Sequence, residues 1–178
     1  MGRGNIFLVG MMGAGKTTLG KALAQRLRRE FIDTDRILVE RTGVAVATVF
    51  EIEGEEGFRR RESGVLAELA RREDCVIATG GGMVLAEENR RVMRSAGTVV
   101  YLRARLENLW ERTRHDATRP LLATPDPRGT LAALLGEREP LYRDAAHLIV
   151  ETGSQSANTL LNRVVAALRV HEAARNTR

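Results

Sequence analysis

Gly10-Met11-Met12-Gly13-Ala14-Gly15-Lys16-Thr17 carries the spacing Gly-x-x-x-x-Gly-Lys-Ser/Thr, the pattern of a loop that wraps a phosphate chain. Glycines let successive backbone N–H groups turn inward around one anion, and a helix starting at Lys16 aims the positive end of its dipole at the same place. In that chemistry Lys16 bridges the β- and γ-phosphates of a nucleoside triphosphate, and Thr17 offers its hydroxyl to Mg2+. Gly13, Ala14, Gly15 and Thr18 complete the expected cradle. The motif needs an apolar strand before it and a helix after it, and the sequence supplies both.

What the nucleotide serves has to be read elsewhere. A guanine-reading Asn-Lys-x-Asp is excluded, because Asn-Lys does not occur. The second apolar strand, Cys75 to Thr79, runs into Gly80-Gly81-Gly82 and lacks the terminal acid of a motor ATPase. Carboxylates stand instead at Asp33-Thr34-Asp35. Alternation along an extended segment turns Asp33 and Asp35 to one side, Asp33 toward Mg2+ and Asp35 toward an acceptor hydroxyl whose proton it can take. A helix N-cap before Ile37 accounts for either acid equally, so both readings stay open. The triple glycine likewise admits two readings: bare backbone for a ligand to touch, or a tight turn.

Positioning these groups requires strands alternating with helices. Apolar, β-branched runs mark five strands: Asn5 to Val9, Glu30 to Asp33, Cys75 to Thr79, Thr98 to Leu102 and His147 to Thr152. Helical periodicity covers Lys16 to Arg28, Asp35 to Thr42, Val46 to Glu53, Gly54 to Arg72, Ala86 to Ser95, Leu106 to Arg114, Thr130 to Ala146 and Ser156 to Ala174. That rhythm predicts a doubly wound α/β fold, a parallel sheet with helices on both faces. Two segments interrupt it. Thr42 to Gly57 reads as a flap, and Thr113 to Arg128, with three of the four prolines and no stable apolar face, as a mobile lid.

With 178 residues and 19.7 kDa, one domain spanning 1–178 is expected. The net charge of +5 comes from arginine, since Lys16 and Lys21 are the only lysines. Acids interleave with the basic residues and aromatics make up 4%, so an anionic small molecule is a better match than nucleic acid. Most arginines, among them Arg60, Arg61, Arg71, Arg72, Arg90 and Arg91, are expected on solvated helix faces. The single cysteine, Cys75, and three scattered histidines offer neither a disulfide nor a zinc or iron site. The opening apolar stretch is too short for a signal or membrane segment, and Ile6 stands where myristoylation after Gly2 wants Ser or Thr. The expectation is a monomeric cytoplasmic protein with no membrane partner.

Taken together, the phosphate loop continuing through Thr18-Leu19-Gly20, Asp33-Thr34-Asp35, Phe50-Glu51 with Gly54-Glu55 and Gly57-Phe58-Arg59, Thr79 to Gly82, Arg119-Pro120-Leu121-Leu122 and Arg138-x-Pro140-x-Tyr142 resemble the shikimate kinases, in family order across about residues 5 to 152. The resemblance implies a P-loop kinase three-layer sandwich with a five-stranded parallel sheet in the order 2-3-1-4-5. It implies transfer of the γ-phosphoryl group of ATP, with Mg2+, to the 3-hydroxyl of shikimate on the route to chorismate and aromatic amino acids. Residue by residue, it implies that Asp35 holds the acceptor hydroxyls and serves as base. Arg59 and Arg138 clamp the carboxylate, Gly81 and Gly82 line the ring, Arg119 reaches the transferring phosphoryl group, and Arg112 lies near adenine. Two guanidinium forks suit a planar carboxylate, and Glu62, three positions after Arg59, can orient the first. One departure stands out: the family's common proline after the last strand is missing from Thr152-Gly153-Ser154-Gln155-Ser156-Ala157.

Two rivals follow from the same residues. Another small kinase, for gluconate or a nucleoside monophosphate, would use Asp35 and a lid equally well. A non-catalytic nucleotide-binding protein would turn its arginines to nucleic acid.

Overall fold

A computed structural model of the protein describes residues 4–116 and 119–177. Five parallel strands, β1 (Asn5–Val9), β2 (Glu30–Asp33), β3 (Cys75–Ala78), β4 (Gly97–Ala104) and β5 (Leu148–Thr152), form one sheet in the order β2-β3-β1-β4-β5. Every residue of β1 is buried, because a central parallel strand is covered on both faces. Its register, Phe7 beside Ile77 on one side and Val99 on the other, places three apolar side chains at the middle of the core. Burying each contributes about 1.5–3 kcal/mol.

Helix α1 (Lys16–Leu27) packs on β2 and β3 and against α7 (Ala157–Asn176), which also covers β5. The remaining layer contains α3 (Val46–Leu69), α4 (Glu87–Ala96) and α6 (Pro127–Ala145), with α5 (Leu106–Thr113) against α6 and α2 (Thr34–Thr42) against α3. The expected fold class and strand order are those observed. Among the described residues no helix is long and apolar enough to cross a membrane.

Several boundaries differ from the sequence reading, each for a local reason. Helix α6 begins at Pro127, three residues earlier than expected. Asp126 caps it by accepting the Gly129 N–H at 3.0 Å, and Pro127 occupies a first-turn position that needs no donor. Two of the residues assigned to the lid, Pro127 and Arg128, are therefore helical. Leu122 is part of the core, in a short 3-10 turn over Pro120–Leu122, so the lid segment does own an apolar anchor. The lid range also includes residues 117 and 118, outside those described, as is the Gly2 considered for myristoylation.

The helices expected at Val46 to Glu53 and Gly54 to Arg72 follow one another within α3, which ends at Leu69. Gly54, at φ 69° and ψ 179°, leaves the helical region and kinks it. Arg61 ties the two parts by donating to both oxygens of Glu53, at 2.7 and 2.5 Å. Strand β4 extends past the expected Thr98 to Leu102, whereas β3 and β5 are each one residue shorter. Arg90 is not a solvated residue. Its largely buried guanidinium binds Asp144 at 2.6 Å and the Val84 carbonyl at 2.8 Å, fastening α4 to α6.

Candidate active site

The C-terminal ends of β1, β2 and β3 deliver the phosphate loop, Asp33 and the triple glycine to one edge of the sheet, where the chain's crossovers diverge. Gly10, Gly13 and Gly15 all take positive φ in the loop, and a Cβ on Gly13 would stand 2.8 Å from the Thr113 methyl of α5. Lys16 folds back across the loop, donating to the carbonyls of Gly10 at 2.7 Å and Met11 at 2.9 Å. Desolvation pulls its ammonium down to about 8. Asp35 and Asp33 oppose that pull, while Arg119 and Arg138 add to it.

The acidic pair departs from the extended geometry expected of it. Asp33 ends β2 and caps α2, accepting the Asp35 N–H at 3.1 Å, while Asp35 already belongs to the first helical turn. Chain turning at the cap, rather than strand alternation, brings both acids to the cleft. The two open readings are thus compatible: Asp33 is an N-cap whose other oxygen, Oδ2, accepts the Thr17 hydroxyl at 2.8 Å. Asp35 Oδ1 is buried with no hydrogen-bond partner. Burial and the neighbouring Asp33 raise its carboxyl above the usual range, against the pull of Lys16, Arg119 and Arg59.

Beyond Asp35 lies a recess lined by Met12, Phe50, Phe58, Arg59, Gly80 to Gly82 and Arg138, with Arg119 and Pro120 at its rim. Arg59 sits near the rings of Phe50 and Phe58, 5.9 and 5.4 Å from their centroids. Its guanidinium is held by Glu62, which is 1% exposed, and by Glu55 at 3.0 Å. Burial raises the Glu62 carboxyl, and Arg59 opposes the shift. Arg138, 2% exposed, enters from α6. Gly80 is hemmed by the Glu62 and Asp35 carboxyls and Gly82 by the Arg59 guanidinium, so any side chain at either would occupy space those groups fill. The triple glycine is both a turn, with Met83 N–H bonding the Gly80 carbonyl at 3.1 Å, and a bare backbone wall.

A second recess, lined by Gly13, Gly15, Lys16, Thr17, Thr18 and Asp33, shares Met12, Asp35, Gly81 and Arg119 with the first. Through Gly15, Thr18 and Arg112 it runs into a third, where Ala14, Ala22, Gly153, Gln155 and Leu160 make a wall. Arg112 bridges these regions, donating to Gly13 O at 3.1 Å and Gly153 O at 2.9 Å. Arg119, at the junction of the first two recesses, is turned to Asp116 at 2.9 Å. All the residues expected to act therefore border three adjoining recesses that share lining residues. Sequence reasoning left two without a role. Gln155 occupies the loop that lacks the family's proline. Tyr142 belongs to a recognised motif, yet nothing in its spacing announces that its hydroxyl reaches Gly81.

Fold and cleft together define a P-loop kinase of small molecules. A family model described as shikimate kinase matches residues 12–169. The shikimate kinase of Nitrosospira multiformis is 54% identical over 167 residues, covering 94% of this chain and 86% of the relative. That of Bordetella avium is 56% identical over 167 residues, covering 94% and 80%. A solved structure of shikimate kinase from Acinetobacter baumannii in complex with shikimate superposes with a TM-score of 0.92 at 44% identity, over 94% of each chain. The chain belongs to the shikimate kinase family, the ATP-dependent kinases of shikimate.

Proposed function

We propose that this chain transfers the γ-phosphoryl group of ATP to the 3-hydroxyl of shikimate, and that the residues lining the joined recesses divide the work as follows. Arg59 and Arg138 hold the shikimate carboxylate by paired N–H donation, with Glu62 keeping Arg59 in place. Gly81 and Gly82 present backbone to the ring. Asp35, its Oδ1 otherwise unpartnered, accepts hydrogen bonds from the acceptor hydroxyls and takes the 3-hydroxyl proton as the oxygen attacks phosphorus. The P–O bond to ADP breaks as the new one forms.

Phosphoryl transfer asks little covalent work of a protein, so positioning and charge carry the acceleration. Lys16 leaves the Gly10 and Met11 carbonyls for the β- and γ-phosphates, which Gly13, Ala14, Gly15, Thr17 and Thr18 wrap. Arg119 turns from Asp116 to the transferring group, and closure of the segment that bears it excludes water. Arg112 flanks adenine, with Gln155 and Gly153 beside it in place of the family's proline.

Mg2+ suits the oxygen donors at Thr17 and Asp33. Because the Thr17 hydroxyl donates its hydrogen bond to Asp33, its lone pairs would remain for the ion, and the Asp33 carboxylate would supply a further oxygen on the same side. When bound, the ion neutralises charge on the β- and γ-phosphates.

The observation that carries this reading is the shared wall: a recess with two guanidinium groups joins the phosphate recess at Asp35. The remaining readings are a single domain with a flap at 42–57 and a lid at 113–128, acting as a cytoplasmic monomer without nucleic-acid or membrane partners. Arginines paired with acids across the surface support the last of these only as regards nucleic acid. The test is ADP release from ATP and Mg2+ with shikimate, gluconate, AMP or CMP against a no-acceptor control. Turnover with shikimate alone is expected. Turnover with AMP or CMP in place of shikimate overturns the carboxylate clamp, turnover with gluconate in its place overturns the ring assignment, and silence with all of them overturns catalysis.

A further inference from the structure

Tyr142 is fully buried on α6, one helical turn after Arg138, and its ring stacks on Tyr101 of β4 with centroids 5.0 Å apart. Its hydroxyl donates to the Gly81 carbonyl at 2.6 Å, and Met11 Sδ of the phosphate loop lies 3.5 Å from the same oxygen. The charge of the Arg138 guanidinium acts on the same phenol. A Cβ placed on Gly81 would lie 3.6 Å from the Tyr142 hydroxyl, 3.6 Å from Arg138 Nη1 and 3.6 Å from the Gly10 carbonyl. One phenol oxygen is therefore the meeting point of the triple-glycine turn, the phosphate loop and the helix that supplies Arg138.

We infer that Tyr142 is a positioning residue for the acceptor: its hydroxyl pins the Gly81 backbone beside the Arg138 guanidinium. The donor proton is committed to Gly81 O. The phenol itself touches neither substrate. The inference rests on the carboxylate-clamp reading proposed above.

Tyr142→Phe removes the oxygen and keeps the ring stacked on Tyr101, so the fold is preserved and the loss is confined to the hydrogen bonds. Shikimate KM should rise about tenfold, while ATP KM stays within about twofold of the starting value. Tyr101→Phe is the matched control. Its own buried hydroxyl has no hydrogen-bond partner, so deleting it should leave both KM values unchanged. Because the Gly81 backbone that Tyr142 holds adjoins Arg138, the shikimate KM of the double variant Tyr142→Phe, Arg138→Lys should fall short of the product of the single effects.

A lower melting temperature in Tyr142→Phe with both KM values unchanged would make the residue structural and overturn the inference. Multiplicative effects in the double variant would overturn its action on the wall beside Arg138. The starting protein separates the two readings: inactivity with shikimate defeats the function and this inference together, whereas normal activity with an unshifted KM in Tyr142→Phe defeats this inference alone.

Discussion

The guanidinium of Arg59 occupies the space into which a side chain on Gly82 would project. Gly82 itself has an ordinary backbone conformation, φ −94° and ψ 0°, so the glycine is required by its neighbour and not by its own dihedrals. Gly82→Ala should fold normally and displace Arg59. We expect a shikimate KM at least about tenfold higher with ATP KM unchanged, read from initial rates at varied acceptor. An unaltered shikimate KM would show that Arg59 has room to move without loss of function.

Asp35→Asn keeps the size of the side chain and removes the proton acceptor. Turnover should fall by about 10²- to 10⁴-fold, the usual scale of a lost general base. Since burial and Asp33 raise the Asp35 carboxyl, the acid limb of the wild-type kcat/KM profile for shikimate should lie above the ordinary carboxylate range. Activity is lost as pH falls through that value, because protonation fills the accepting oxygen. The variant's residual rate should lack this limb.

Lys16 yields an alkaline limb. Its ammonium, held near 8, loses its charge as pH rises through that value, so kcat/KM for ATP should halve near pH 8 and then fall about tenfold per unit. The limb in kcat should lie higher, since a bound triphosphate restores the proton. Coincident limbs in the two profiles would assign the titration to another group.

Arg119→Ala should cost turnover about 10³-fold, the scale of an arginine that meets a transferring phosphoryl group, with ATP affinity changed far less. Isothermal titration with ADP separates the two effects. An unchanged turnover number would remove Arg119 from the reaction.

At the other end of the sheet, the Val99 N–H donates to His147 Nδ1 at 3.0 Å, a bond that needs the nitrogen unprotonated. Burial, with help from Arg94, His171 and Arg175, brings His147 down to about 4. The folded chain therefore excludes a proton that the unfolded chain binds near the ordinary histidine value. Stability is full above about pH 6.5 and is lost progressively as pH falls toward 4. His147→Asn, which retains an acceptor, should flatten the melting-temperature profile between those limits by a few degrees. An identical profile in the variant would place the acid sensitivity elsewhere.

The strands and the phosphate loop were legible because their signals are local: four apolar residues ending at a glycine need no distant partner to be recognised. Asp33 and Asp35 were found by type but misjudged in geometry. Periodicity cannot say which residue ends a strand, and here a cap bond from Asp35 N–H to Asp33 decides it. Arg90 was assigned to solvent because its acid, Asp144, is 54 positions away. Tyr142 was in a quoted motif but had no role, since its partner Gly81 is 61 positions distant and is brought near only by the sheet. Pairings of that kind belong to topology, which local sequence does not encode.

The common boundary formed by Met12, Asp35, Gly81 and Arg119 has a consequence for inhibitor design. On the assignment proposed above, the acceptor and the terminal phosphate adjoin at these four residues, so a single molecule joining a cyclic hydroxy acid to a short anionic chain would reach both recesses. Its two halves would each raise the effective concentration of the other. Lengthening the tether should weaken binding, because the extra atoms would have to displace Arg119 or Asp35 from the junction.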